Sequence, residues 1–247
     1  MDNKVIEMRN IYKKFGNVSA LNGVNLILNK GEVLGLVGDN AAGKSTLCKI
    51  LSGAHKPTSG DILINNSKVE LDSPAAAKNN HIEMVYQDLA LAENLPIGDN
   101  IFLGREPTKK FGPFKFLDHK KRKQFTEEHL AKLKINVKSA DQKVEELSGG
   151  QRQAVAIARA TAFDAKIVIM DEPTAALAVK EVGMVLDLII GLKNLGVGVI
   201  VISHRMDDIF SVSDRVMALF QGANFAESLL KETSRDEVVG WIMGKKI

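Results

Sequence analysis

Cysteine occurs once in the 247 residues, at Cys48, so no internal disulfide can form. That excludes a disulfide-stapled scaffold and fits a reducing compartment. Aromatic residues make up only 5%, with one Trp and two Tyr, which leaves little to stack on bases. The formal net charge of +3 is too small to argue for nucleic acid, and no such partner is expected. No apolar run approaches the roughly 18 to 20 residues of a membrane span. The opening stretch MDNKVIEMRN lacks the apolar core of a secretory signal, so the chain is expected to stay in the cytosol. What is present is an ordinary globular composition, 45% hydrophobic, sufficient for one large domain or a core with an inserted lobe.

The chain is organised around VLGLVGDNAAGKSTLCKIL, from Val33 to Leu51. Val33 to Val37 reads as a short buried strand that empties into Gly38, Asp39, Asn40, Ala41, Ala42, Gly43, Lys44, Ser45 and Thr46, the pattern G-x-x-x-x-G-K-S. A strand, a Gly-rich turn and a helix start gather unpaired amides around one point, and the helix N-terminus adds partial positive charge there. The expected ligand is the phosphate chain of a nucleotide. Lys44 reaches the terminal phosphates and the Ser45 hydroxyl is placed for Mg2+. Gly43 lets the backbone approach the phosphate closely. Ala41 occupies a position where many such loops carry another glycine, and a negative φ is expected there.

Residues 4 to 30 read as two strands turned at Gly16-Asn17, the second starting at about Asn22, with Phe15 a semi-exposed aromatic suited to carry a purine ring. Asp61 to Asn65 is a further antiparallel strand turned back at Asn65-Asn66, and residues 73 to 80 a short helix capped by Ser73 with Pro74 at its first position. The strand 82 to 87 ends in Gln87, whose amide has the reach to ligate Mg2+ or hold an attacking water. From 89 onward Phe111, Phe114 and Phe116 mix with a basic run, Lys120 to Lys123, which reads as the solvated face of a helix or a surface near anionic lipid. Ser148, Gly149, Gly150 and Gln151 open a helix and form a second anion site. One nucleotide rarely needs two such sites in one chain, whereas a face-to-face dimer uses both. The strand 166 to 173 ends in Asp171, suited to the Mg2+ hydration shell beside Ser45, and Glu172, suited to polarise water. A helix from about 178 to 192 presents Val182, Val185, Leu186 and Ile189. The strand 196 to 203 delivers His204 to the same edge as a γ-phosphate contact. Residues 214 to 223 read as an edge hairpin, and 234 to 243 as a terminal helix.

In this order, the phosphate loop GDNAAGKST, Gln87, LSGGQ at 147 to 151, IVIMDE at 167 to 172 and His204 resemble an ATP-binding cassette ATPase domain over nearly the whole chain. The resemblance implies an α/β P-loop NTPase core with an antiparallel β lobe, an inserted α-helical lobe at about 89–163, and a C-terminal hairpin and helix at about 214–247. It implies that Phe15 stacks on adenine, that Ser148, Gly149 and Gly150 contact the γ-phosphate held by the opposite subunit, that Glu172 is the catalytic carboxylate, and that Gln87 begins the loop coupled to membrane subunits. MVYQDLALAENLPIGDNIFLGRE, FLDHKKRK, SGGQRQAVAIARA and IVIMDEPTAAL are similar to cassettes of bacterial monosaccharide importers, and among them to the short fructose-import type. A single motif set then implies a homodimer with two ATP sites at the cytoplasmic face of the inner membrane, working with permease subunits and indirectly with a sugar-binding receptor. Ala178 stands where the family commonly has Asp, so crosstalk between subunits there must use other atoms. A soluble cassette ATPase in translation or DNA repair, a nonenzymatic regulatory subunit, and an exporter are the alternatives.

Overall fold

The computed structural model describes residues 3–245. The chain divides into two compact units, the first made of Met1–Gln87, Ala165–Pro173 and Ile189–Ile247, the second of Asp88–Asp164 and Thr174–Leu188. The lobe read as 89–163 therefore also takes in the segment after Pro173, which no change of composition marks.

In the first unit, β1 (Lys4–Phe15) and β2 (Val18–Asn29) form the expected antiparallel pair, with Phe15 opposite Val18 across the Gly16-Asn17 turn. Their alternation puts Ile6, Met8, Ile11, Leu21, Val24, Leu26 and Leu28 into the core. Next come β3 (Val33–Val37), α1 (Lys44–Leu51), β4 (Ser59–Ile64) and β5 (Ser67–Val69). The turn between β4 and β5 is Asn65-Asn66, both at positive φ, the geometry that a two-residue hairpin needs. These strands make a four-stranded sheet in the order β2-β1-β4-β5. In α2 (Pro74–Asn79) the Ser73 hydroxyl accepts from Ala76 N at 3.2 Å, as the sequence expects. The strand β6 (Ile82–Val85) follows, and ends two residues before Gln87.

The second unit holds α3 (Ile97–Phe102), the hairpin β7 (Thr108–Phe111) and β8 (Phe114–Leu117), α4 (His119–Lys132), α5 (Gly149–Thr161) and the start of α6 (Val179–Asn194). Phe102, Phe125 and Phe163 form its aromatic core, with ring centroids 5.0–5.7 Å apart. The buried Asn100 anchors the segment before it: its Oδ1 accepts from Ala92 N at 2.7 Å and its Nδ2 donates to the carbonyls of Ala92, Leu95 and Pro96. Phe111, Phe114 and Phe116, which the sequence assigns to no element, fall in the hairpin. Within the basic run Arg122 is not solvated, because its guanidinium is tied to Asp99 and Asp141 and its side chain keeps 13% exposure. In α6, Val182, Val185, Leu188 and Ile189 are buried, whereas Leu186 is only half-buried.

The rest of the first unit is β9 (Ile167–Asp171), β10 (Gly198–Ile202), α7 (Met206–Val212), β11 (Arg215–Phe220), β12 (Ala223–Leu229) and α8 (Arg235–Ile242). A six-stranded sheet runs in the order β12-β11-β3-β10-β9-β6. All its strands are parallel except the edge strand β12. Strands buried on both faces read as unbroken apolar runs, which is why VLGLV and GVIVI show no alternation. Because β3, β6, β9 and β10 are parallel, Gly38, Gln87, Glu172 and His204 all emerge at one carboxyl edge, where open α/β sheets bind ligands.

Candidate functional site

In the first unit the loop Gly38–Gly43 leaves β3 and enters α1 without any side chain capping the helix and with no acidic residue in its first turn. The first-turn amides are thus open to an external anion. Gly43 has φ +102, and a Cβ there would lie 2.7 Å from Leu21 Cδ2. A Cβ on Gly38 would lie 2.4 Å from Leu219 O. Both positions therefore require glycine for backbone reasons as well as for ligand approach. Ala41 has φ +66, contrary to the negative φ expected. The loop keeps the left-handed geometry, and an exposed alanine bears its strain.

Lys44 is 7% exposed, and its Nζ donates to the carbonyls of Gly38 at 2.6 Å and Asp39 at 3.0 Å. Burial lowers its ammonium below the usual lysine range, while Glu172, Asp39 and Asp171 pull it back up. The side chain is held folded over the loop, inside the cradle that it would share with phosphate.

Burial raises the carboxyls of Asp171 and Glu172 above the usual range, against the pull of Lys44 and His204 on both. Glu172 adopts φ +51 immediately after β9, a left-handed turn that aims its side chain across β10. His204 N donates to its Oε2 at 3.4 Å, and His204 Nε2 lies 3.2 Å from Oε1. That second approach lacks hydrogen-bond alignment, so Oε1 is a buried acceptor without a hydrogen bond among the described residues. A half-buried carboxylate with one uncommitted oxygen beside a lysine-lined anion cradle is suited to take a proton from water. Lys44, Asp171, Glu172 and His204 are thus brought together. Gln87 and Ser45 are exposed, Gln87 beyond β6 and Ser45 in the first turn of α1.

The donor set fits Mg2+ held jointly with phosphate oxygens. Among the described residues no group of three or more His, Cys, Asp or Glu could hold a metal alone. One hydroxyl, Ser45, one carboxylate, Asp171, and the amide of Gln87 are oxygen donors of the kind Mg2+ prefers, and they leave positions for phosphate and water. Phe15 is 45% exposed, and its ring meets His55 edge-on at 5.3 Å and Lys13 Nζ at 4.9 Å from the centroid. Neither flanking residue was marked by the sequence.

In the second unit, Ser148 caps α5 with a full capping box: its Oγ accepts from Gln151 N at 3.3 Å and Gln151 Oε1 accepts from Ser148 N at 3.1 Å. The Gln151 amide also donates to Asn136 O at 3.1 Å, so it orients the signature turn from behind. Glu181 is the residue that sequence reasoning missed. Its Oε1 accepts from Gly150 N at 3.0 Å and its Oε2 from Ala178 N at 3.2 Å. Hydrogen bonds from Gly150, Ser148 and Ala178 hold its carboxyl below the usual range. The amide turn expected to receive phosphate already carries an anion from its own chain. The only hint in the sequence is a glutamate at the third position of α6, where it reaches back to the helix start.

The family model described as ABC transporter matches residues 21–175. A xylose/arabinose import ATP-binding protein of Sulfolobus acidocaldarius is 48% identical over 234 residues, 95% of this chain and 92% of that protein. A fructose import ATP-binding protein of Rhizobium meliloti is 41% identical over 246 residues, 98% of this chain and 95% of that protein. Among solved structures, the ADP conformation of an ATP-binding cassette of an ABC transporter aligns with a TM-score of 0.83 at 28% identity, covering 98% of this chain and 99% of that one. A dimeric post-hydrolysis cassette bound to ADP and Pi aligns with a TM-score of 0.75 at 30% identity, covering 91% of this chain and 98% of that one. With phosphate loop, paired carboxylates and signature turn in these places, the chain belongs to the ABC transporter family as one of its ATP-binding cassettes.

Proposed function

We propose that the chain is the ATP-hydrolysing motor subunit of a sugar importer, and that it works as a head-to-tail homodimer on permease subunits at the cytoplasmic face of the membrane. The observation that carries the hydrolytic reading is the Glu172 carboxylate, half-buried, with one oxygen uncommitted beside His204 and the Lys44 cradle. Support for import of a sugar comes from relatives whose names specify xylose/arabinose, fructose and ribose import. A monosaccharide of this group is the expected cargo.

In this reading the amides of Gly38 to Thr46 bind the phosphates of ATP, and Lys44 exchanges its bonds to Gly38 O and Asp39 O for the terminal phosphates. Phe15 carries the adenine. Ser45, Asp171 and Gln87 are the residues to hold Mg2+, which when bound neutralises phosphate charge and orients the leaving group. Glu172 takes the proton of the attacking water, and His204 fixes the Glu172 carboxylate and faces the γ-phosphate. Ser148, Gly149 and Gly150 face the nucleotide of the opposite subunit, with Gln151 bracing the turn. Gly150 N then leaves Glu181 for phosphate, so closure exchanges one anion for another.

The test is Glu172→Gln, purified and also used as bait on detergent-solubilised native membranes with MgATP. The expected result is ATP binding close to wild type, hydrolysis reduced by about 100-fold or more, in keeping with loss of a positioned general base, and recovery of a multispanning permease with a sugar-binding receptor. Near-normal hydrolysis would remove Glu172 from its role. Recovery of soluble partners alone would favour the cytosolic alternative.

A further inference from the structure

The hairpin β7–β8 has no part in nucleotide chemistry, yet its composition and exposure are unusual. Its sheet joins neither of the other two, and all eight strand residues are exposed. The pairing is Thr108 with Leu117, Lys109 with Phe116, Lys110 with Lys115, and Phe111 with Phe114. Opposed residues share a face and successive residues alternate, so Phe111, Phe114 and Phe116 lie together with Lys109, and Lys110 and Lys115 lie on the reverse. The three phenyl groups are 78%, 64% and 51% exposed. Phe114 and Phe116 lean on each other at 6.4 Å. A two-stranded hairpin is marginal in water by itself, and directly opposed lysines weaken it further. As it stands, the sequence of this element serves water poorly.

Its charge is of one sign, though it occupies both faces. Among the described residues Lys109, Lys110, Lys115, Lys120 and Lys121 have no carboxylate partner, whereas Arg122 and Lys123 are committed to Asp99 and Asp141. The two acids of the stretch are engaged locally: Glu106 accepts from Gly104 N and Asp118 caps α4 through Lys121 N. Five free ammonium groups spread over both sides of the hairpin and the first turn of α4 match a diffuse negative surface better than a discrete set of carboxylates. Three phenyl groups on one exposed face of a hairpin, with long lysine stems beside them, suit shallow insertion at the level of lipid headgroups.

We propose that the hairpin Thr108–Leu117, with Lys120 and Lys121, is a docking element for the surface of an anionic lipid bilayer. The phenyl face enters the headgroup boundary and the lysines pair with lipid phosphates around it. The contact adds to whatever binding a permease provides, and it is independent of nucleotide. It gives a cassette with no membrane-crossing helix among its described residues a direct hold on the membrane.

The test is flotation of the purified full chain with vesicles of phosphatidylcholine alone and of phosphatidylcholine mixed equally with phosphatidylglycerol, without ATP. The chain is expected to float with the anionic vesicles only, and less so as salt rises. The triple variant Lys109→Glu, Lys110→Glu, Lys115→Glu should lower partitioning about a hundredfold or more, at roughly fivefold for each lysine lost. The triple variant Phe111→Ser, Phe114→Ser, Phe116→Ser should lower it while leaving the charge intact. Both should keep wild-type melting and hydrolysis, since the replaced side chains are exposed. The proposal is overturned if the chain floats with neither vesicle, if neither variant changes flotation, or if the serine variant instead abolishes a self-associated species or retention by the permease.

Discussion

Ala41→Gly tests the phosphate loop in the direction opposite to most glycine substitutions. Ala41 is exposed at φ +66, so its methyl group buries nothing, and the left-handed conformation costs an L-residue roughly 1–2 kcal/mol. Glycine removes that cost but returns about 0.4–1 kcal/mol of chain entropy to the unfolded state. The balance is a stabilisation of about 0.8 kcal/mol, which for a chain of this size raises the melting temperature by roughly 2–3 °C. Ala54 supplies the control: it too is exposed, is not at positive φ, and Ala54→Gly should destabilise by about 0.4–1 kcal/mol. Scanning calorimetry of the three proteins without nucleotide reads the comparison directly. A lower melting temperature for Ala41→Gly, or equal changes in the two variants, would refute the assignment of strain to Ala41.

Three further predictions follow from the same geometry. Burial raises the Glu172 carboxyl, so hydrolysis should fall on acidification at a pH above 4.5, as the base takes its proton. By linkage, the stability tied to Glu172 is present at low pH and declines as pH rises from 4.5 through its folded value; Glu172→Gln should remove that dependence in denaturant titrations. In a Glu172→Gln background, Glu181→Ala should let the dimer form at severalfold lower MgATP in analytical ultracentrifugation, because Gly150 N no longer has to leave an internal anion; a weaker dimer would make Glu181 merely structural. Cys48 is fully buried and its thiol is pushed far up by desolvation, so iodoacetamide should modify it only after denaturation, as mass spectrometry would show.

Much of this was legible because local chemistry and long-range packing agree. The run Val33–Val37 has no alternation because it is covered on both faces. Ser73-Pro74 and Ser148 with Gln151 announce their helices through caps that need no tertiary partner. What escaped notice depends on contacts distant in sequence or on backbone geometry. Phe111, Phe114 and Phe116 lie close to both helical and strand spacing, and only the Gly112-Pro113 turn favours the hairpin. Arg122 looks like its lysine neighbours until Asp99 and Asp141 are folded beside it. Glu181 reads as an ordinary helix glutamate, and its bond to Gly150 spans 31 positions of chain. Ala41 was misjudged because a preference for glycine at positive φ is an energy of modest size, which one loop can bear.

The placement of β3 has a consequence for how the chain is made. Its hydrogen-bonded neighbours are β10 and β11, which leave the ribosome roughly 165 and roughly 180 residues after β3 does. At about 5–20 residues per second, the strand that feeds the phosphate loop spends about 8–30 s of synthesis with neither flanking strand available. During that interval VLGLV is an unpaired apolar edge attached to a Gly-rich turn, the kind of segment that holdase chaperones cover. The yield of folded chain should therefore respond to translation speed and chaperone supply over codons 33 to 220 more than to the stability of the finished protein.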